Sequence, residues 1–193
     1  MKCTFYRPQE VNVSEFSTIV KKLRADLQEL EAGTLEKQEV FDYAKELCNH
    51  ARPLENDPGM FFWGLANPNS MPHDARVDFF YLPTYLATAF LIKTALLYPE
   101  LIDEYEDNEK KSDIYPSNLK NILRMSMNGC TGRNFDGAGV LTLKECVEIF
   151  VGAGTVEFLE KYPKLCPKFK RLFAHKKAMV DRGERPMLEV WYG

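Results

Sequence analysis

Four ionisable side chains fall within six residues, at the start of the most apolar stretch of the chain. They are His73, Asp74, Arg76 and Asp78, and three aromatic residues, 79–81, follow them. Burying such groups costs several kcal/mol unless they are paired or bind a ligand. A histidine beside a carboxylate can act as acid and base, and an arginine can hold an anion. The cluster therefore predicts either an acid–base pair with an anion-binding arginine or an ion-pair network that fixes a loop to a helix.

A second candidate is the glycine-rich segment 129–139, which holds four of the eleven glycines of the chain. Glycine lets backbone amides approach a ligand closely, and Arg133 adds positive charge for a phosphate or carboxylate group. The glycine spacing matches neither of the common nucleotide-binding patterns. Two interpretations are open: a ligand-binding loop that uses Arg133, Asn134 and Asp136, and a sharp turn between two helices.

The segment 134–145, NFDGAGVLTLKE, overlaps that loop. Asn134, Asp136, Gly139 and Glu145 stand at positions 1, 3, 6 and 12 of a twelve-residue pattern. This order resembles the calcium loop of an EF-hand. The resemblance implies a metal site at Asn134, Asp136 and Glu145, in a degenerate form because Ala138 stands where a fifth-position ligand is usual. Glu145 is equally explained as the acidic member of a capping box with Thr142.

Helices must position these candidates, because apolar residues recur at helical spacing along most of the chain. In the first helix they are Phe16, Val20, Leu23, Leu27 and Leu30. Gly33 is suited to end that helix and Thr34 to cap the next one. The spacing predicts a helix pair over 14–32 and 34–52.

An irregular segment follows this pair. Residues 53–83 carry five prolines together with the aromatic run 61–63, and we expect a long loop that packs on the body of the protein. Further helices are predicted at 84–98, from Ser117 to Gly129, after Thr142, and from Pro167 to Asp181. The tail 187–192 alternates apolar and polar residues and is predicted to be an extended arm.

The stretch from Val77 to Tyr98 is long enough to cross a bilayer, but Asp78, Pro83 and Lys93 lie within it. Charges near the centre of a membrane helix cost about 2.5–3.5 kcal/mol each. A helix that is apolar on all sides is also what the centre of a helical domain requires. We therefore expect 84–98 to be a central buried helix and not a membrane span.

The compartment is predicted from the amino terminus and the cysteines. The chain reaches Pro8 without a long apolar run, which does not fit a secretory signal peptide. Five cysteines form an odd number and contain no CxxC pair, so neither a disulfide framework nor a zinc ribbon is indicated. We expect a cytoplasmic protein.

The charge of the chain is nearly balanced, but its distribution is not. The 25 basic and 28 acidic residues give a net charge of −3, which argues against a nucleic-acid binder. Segment 100–113 nevertheless carries −5, and segment 161–185 carries +7. The split predicts an internal acidic–basic contact or a partner of opposite charge.

These patterns together predict one all-α domain over 1–193 with about seven or eight helices. Its helix pairs resemble α/α repeat or toroid-like domains, a likeness that implies a fold and no activity. The predicted function is a soluble binding module for a small anionic molecule or a protein partner, without a cofactor. An enzyme that uses His73 with Asp74 or Asp78, a degenerate calcium site, and a homodimer are the alternatives.

Overall fold

The structure is a computed structural model, and it describes residues 13–54, 57–62, 82–103, 119–131 and 143–184. The helices in these ranges are α1 (Val13–Ala32), α2 (Lys37–His50), α3 (Leu82–Leu97), α4 (Glu100–Asp103), α5 (Leu119–Gly129), α6 (Leu143–Gly152), α7 (Thr155–Lys161) and α8 (Pro167–Asp181). The predicted all-α fold is confirmed, whereas the likeness to repeat or toroid-like domains stays a prediction. Across the described ranges, none of the helices combines the length and apolar character needed to cross a membrane.

Helix α3 forms the centre of the core, as the sequence predicts for 84–98. Thirteen of its sixteen residues are buried, and α1, α2, α5, α6 and α7 all pack against it. Two of its buried hydroxyl groups have local partners, and the first, Thr94 Oγ1, donates to the Phe90 carbonyl at 2.9 Å. The Cys130 thiol approaches Thr88 Oγ1 at 3.6 Å. A helix without a continuous polar face is stable in this position because neighbouring helices cover most of its surface.

The turn between α1 and α2 corrects one detail of the sequence analysis. Gly33 ends α1 in the left-handed region (φ 69°), as predicted. Thr34, however, closes α1 instead of capping α2: its amide and its hydroxyl both donate to the Glu29 carbonyl, at 3.1 and 3.0 Å. The cap of α2 is Glu36, which forms a capping box with Glu39. A glutamate at this position reaches the same backbone amides that a threonine would satisfy.

Part of the predicted loop 53–83 is a β-hairpin. Strand β1 (Arg52–Leu54) pairs antiparallel with β2 (Asp57–Phe62), and α5 packs against β2. The expectation of an entirely irregular segment is therefore wrong for its first part. The register of the pairing shifts between Pro53 and Leu54. Proline is tolerated at such irregularities and on edge strands because it cannot donate a ladder hydrogen bond.

Aromatic rings join α8 to the centre. Phe150 of α6 contacts Tyr85 of α3 at 5.9 Å between ring centroids and Phe169 of α8 at 5.3 Å. Phe169 and Phe173 are stacked on the inner side of α8. This anchoring fixes which side of α8 is turned toward water.

Candidate functional site

Most of the predicted site residues lie outside the described residues. His73, Asp74, Arg76 and Asp78 fall in 63–81, and Arg133, Asn134 and Asp136 fall in 132–142. The acid–base pair, the ligand-binding loop and the arm at 187–192 therefore stay predictions. The glycine-rich segment is described only over 129–131: Gly129 ends α5 as expected, and the Thr131 hydroxyl donates to the Asn128 carbonyl at 2.7 Å.

Glu145 is the described member of the EF-hand-like pattern. It lies exposed in the first turn of α6, next to the start of the helix at Leu143. This is also where an acidic side chain is stabilised by the helix dipole. In the part of the chain that the structure describes, no group of three or more His, Cys, Asp or Glu side chains could hold a metal ion. The calcium hypothesis stays a prediction.

Three buried cysteines lie near one another beside α3, α5, α6 and α8. Burial raises the pKa of the Cys130 thiol, and the neighbouring Cys146 and Cys166 add to that rise. Burial also raises the pKa of Cys146, to about 12, and that of Cys166. Thiols held in the protonated form are poor nucleophiles and poor metal ligands, so these three cysteines act as small core residues.

The acidic segment 100–113 is described only at its beginning. Glu100 accepts a hydrogen bond from Lys37 Nζ of α2 at 2.7 Å, and this contact lowers the pKa of its carboxyl group. Lys37 also lies over the rings of Phe41 and Tyr98, at 5.1 and 5.3 Å. The first acidic side chain of the segment therefore pairs with α2 and not with the basic region near the carboxy terminus.

Helix α8 has a charged outer face that is separate from its aromatic inner side. Lys168, Arg171 and His175 follow one another at helical spacing and are all exposed. We call these three residues the basic face of α8. No described carboxylate forms an ion pair with Lys168 or Arg171.

Other cations of this region extend or border the basic face. Lys164 is exposed in the turn before α8, and Arg124 of α5 lies close enough to the start of α8 to act on the Cys166 thiol. At the other end, Lys177 pairs with Asp181 at 2.7 Å, and Arg182 forms a two-pronged contact with Glu184. The basic face is thus flanked by local ion pairs at one end and by two further exposed cations, Lys164 and Arg124, at the other.

The basic region was predicted from the sequence, but the contribution of Arg124 was not. Arg124 is 44 residues from Lys168 in the chain, and no local pattern indicates that α5 brings it to the start of α8. The chain matches no protein-family model, no curated protein and no solved structure with which it was compared. The chemistry that this surface offers is attraction of negative charge by several flexible cations.

Proposed function

We propose that this protein is a helical interaction module that binds an acidic segment of a partner protein through the basic face of α8. The observation that carries the proposal is the exposure of Lys168 and Arg171 on one side of a helix whose other side is anchored by Phe169 and Phe173. A rigid helix holds the two cations at fixed spacing, which lowers the entropic cost of binding. The prediction of an anionic partner from the charge split is in line with this assignment.

An acidic protein segment is favoured over nucleic acid and over a membrane by the composition of this face. Its exposed residues include no Phe, Tyr or Trp side chain, the rings on which bases usually stack in single-stranded nucleic-acid binding. They also include no large apolar side chain that could insert into a bilayer. Attraction between separated charges remains, and this is the usual basis of fast, salt-sensitive protein association.

The test compares two double variants with the same change in net charge. Lys168→Glu with Arg171→Glu reverses the basic face, and Lys21→Glu with Lys45→Glu reverses two exposed lysines on α1 and α2. Binding of a fluorescein-labelled polyglutamate peptide is measured by anisotropy at low and at physiological salt. We expect the α8 variant to bind at least about tenfold more weakly and the control variant to bind within about twofold of the unaltered protein.

Three results would overturn the proposal. The first is an absence of polyglutamate binding even at low salt, and the second is an equal loss of binding in both double variants. The third is tighter binding of RNA or of anionic lipid vesicles than of polyglutamate. Circular dichroism of each variant shows whether the fold is retained, which we expect because exposed substitutions change stability little.

We propose further that the protein is soluble and cytoplasmic. The described cysteines, Cys48, Cys130, Cys146 and Cys166, are all free thiols, which is the usual state in a reducing compartment. Differential alkylation of the protein isolated from its host, followed by mass spectrometry, tests this location. A substantial fraction of any of these cysteines in a disulfide would contradict it.

A further inference from the structure

Two aromatic rings and one carboxylate surround a single ammonium group where α2 meets the link between α3 and α4. The rings of Phe41 and Tyr98 are nearly perpendicular, at 83°, and their centroids lie 5.1 Å apart. Lys37 Nζ lies over both rings, 5.1 and 5.3 Å from the centroids, and donates to Glu100 Oε1 at 2.7 Å. A cation within about 6 Å of a ring centroid is attracted by the ring. We call Phe41, Tyr98 and Glu100 the ammonium site.

The rings of this site are held in place more firmly than the ammonium group between them. The Tyr98 amide donates to the Thr94 carbonyl at 2.9 Å, its carbonyl accepts from the Leu101 amide at 3.1 Å, and its side chain packs against the core. Phe41 lies within α2, and both rings are half-buried. The Lys37 side chain, in contrast, is 56% exposed. A lysine stem is flexible and an exposed ion pair adds little stability, so this ammonium group is easily displaced into water.

The chemistry of the ammonium site suits a trimethylammonium group better than a lysine. The lysine ammonium is strongly hydrated, so the rings must compete with water for it. A trimethylammonium group carries the same charge but has no N–H to be hydrated, and its methyl groups contact the ring faces directly. It gives up the hydrogen bond to Glu100 but keeps the attraction between the charges. Aromatic side chains around a cation are the usual means by which proteins recognise quaternary ammonium groups.

We propose that the ammonium site binds the trimethylammonium group of a ligand, which takes the place of the Lys37 side chain between the two rings. Lys37 is then a competitor built into the chain, and its removal strengthens binding. The ammonium site shares no residue with the basic face of α8 and attracts the opposite charge, so the two proposals are tested independently. Two rings and one exposed carboxylate bind weakly, and we expect a dissociation constant on the order of 1 mM.

The first test titrates choline into the isotopically labelled full chain at constant ionic strength and follows the amide NMR spectrum. Concentrations from about 0.1 to about 30 mM bracket the expected constant. Lys37→Ala should bind at least about threefold more tightly than the unaltered protein, because the competing ammonium group is removed. Lys45→Ala, at an exposed lysine of the same helix, should leave the affinity unchanged. In the Lys37→Ala background, Phe41→Leu and Tyr98→Leu should each weaken binding at least about tenfold.

The second test compares ligands on the Lys37→Ala variant. The uncharged isostere of choline, in which carbon replaces the nitrogen, should bind at least about tenfold more weakly, because only the cation is attracted by the rings. A peptide that carries trimethyl-lysine is compared with choline: tighter binding of the peptide assigns the ligand to a protein chain, and equal affinity assigns it to a small molecule.

Several results would overturn the proposal. They are binding of neither choline nor the peptide to Lys37→Ala, an isostere that binds as tightly as choline, and no gain in affinity from Lys37→Ala. Unchanged binding after Phe41→Leu or Tyr98→Leu would also overturn it. Circular dichroism shows that each variant is folded, and a ring variant that unfolds is replaced by Glu100→Gln in the Lys37→Ala background. That change removes only the charge of the carboxylate and should weaken choline binding at least about twofold.

Discussion

Helices α3 and α8 are of nearly equal length, with 16 and 15 residues, and they use their surfaces in opposite ways. Helix α3 buries thirteen of its sixteen residues, whereas α8 buries Phe169 and Phe173 and turns Lys168 and Arg171 toward water. Burial makes a side chain matter for stability, and exposure makes it available to a partner. A substitution in α3 should therefore change mainly the free energy of unfolding. A substitution on the exposed side of α8 should change mainly the affinity for a partner.

The largest difference in the free energy of unfolding between the two helices is expected when one leucine in each is replaced by alanine. Leu91 of α3 is fully buried, so Leu91→Ala should lower the free energy of unfolding by about 2–5 kcal/mol through lost burial and the cavity that remains. Leu172 of α8 is half-buried, and Leu172→Ala should cost about 1 kcal/mol, because less apolar surface is removed from the protein interior. Urea denaturation followed by circular dichroism measures both values. Equal losses would mean that α8 is as much a part of the core as α3.

A second pair of substitutions separates backbone strain from packing against α3. Gly154 and Gly183 both adopt a positive φ, 79° and 69°. A Cβ at Gly154 would meet Leu96 Cδ1 of α3 at 2.6 Å, whereas a Cβ at Gly183, after the end of α8, would meet no heavy atom within 4 Å. Gly183→Ala should cost about 1 kcal/mol from the left-handed backbone alone. Gly154→Ala should cost about 2–3 kcal/mol, because the leucine must also move.

Differential scanning calorimetry of the two alanine variants measures this difference. Because the two glycines share their backbone conformation, any excess loss in Gly154→Ala reports the contact with Leu96. A Gly154→Ala variant with the same melting temperature as Gly183→Ala would show that α7 is free to move away from α3.

Both helices were predictable from the sequence, for different reasons. A largely apolar run between two prolines predicted α3, and α8 begins at Pro167 and ends at Asp181 as expected from its spacing. The hairpin was missed because two short strands depend on pairing with each other and on packing against α5, which no local pattern reveals. Helix α7 was missed as well, since its seven residues are too few for a periodic signal.

The basic face of α8 was predictable from the sequence only in part. Charge counts located the basic stretch 161–185, but they did not show which cations are exposed and which are used in local pairs such as Lys177 with Asp181. That division depends on the side of α8 to which Phe169 and Phe173 bind.

Alkaline pH should distinguish the thiols next to α3 and α8. Burial raises the pKa of Cys130, near Thr88 of α3, and that of Cys166, at the start of α8. Between the ordinary thiol pKa of about 8.5 and the raised value, the folded protein holds more protons than the unfolded one. Stability is therefore intact below about pH 8.5 and falls above it, by at most about 1.4 kcal/mol per pH unit for each thiol.

Urea midpoints of the Cys130→Ala and Cys166→Ala variants between pH 8 and pH 10.5 measure this fall, a range chosen to span the ordinary thiol pKa. Each variant should lose less stability with rising pH than the unaltered protein. The benefit from Cys166→Ala should level off at a lower pH, because the backbone amide of Phe169, and after it the charges of Lys168 and Arg124, lower the pKa of that thiol against the effect of burial. If neither variant changes the dependence of stability on pH, groups other than these two thiols cause the loss of stability at alkaline pH.

The smallest difference in the free energy of unfolding is expected when two ion pairs of the same geometry, one in α1 and one in α8, are broken. Lys22–Asp26 of α1 and Lys177–Asp181 of α8 both join residues four apart at 2.7 Å. The Asp26 side chain is 8% exposed, and the Asp181 side chain is 57% exposed. Asp181→Asn should change the free energy of unfolding by no more than about 0.5 kcal/mol, since water and salt screen an exposed pair. Asp26→Asn should cost about 1 kcal/mol, because a charged hydrogen bond at a buried oxygen is replaced by a neutral one.

Substitutions of the lysines show whether the losses of stability come from the interaction between lysine and aspartate or from the aspartate side chain alone. Lys22 also lies over the Tyr43 ring at 5.5 Å, so Lys22→Met keeps much of the aliphatic packing and removes the charge. In a double-mutant cycle with Asp26→Asn, the coupling energy should exceed that of the matching cycle on Lys177 and Asp181. A larger coupling on α8 would reverse the contrast between the two helices, because it would place the stronger electrostatic contact on the surface that faces water.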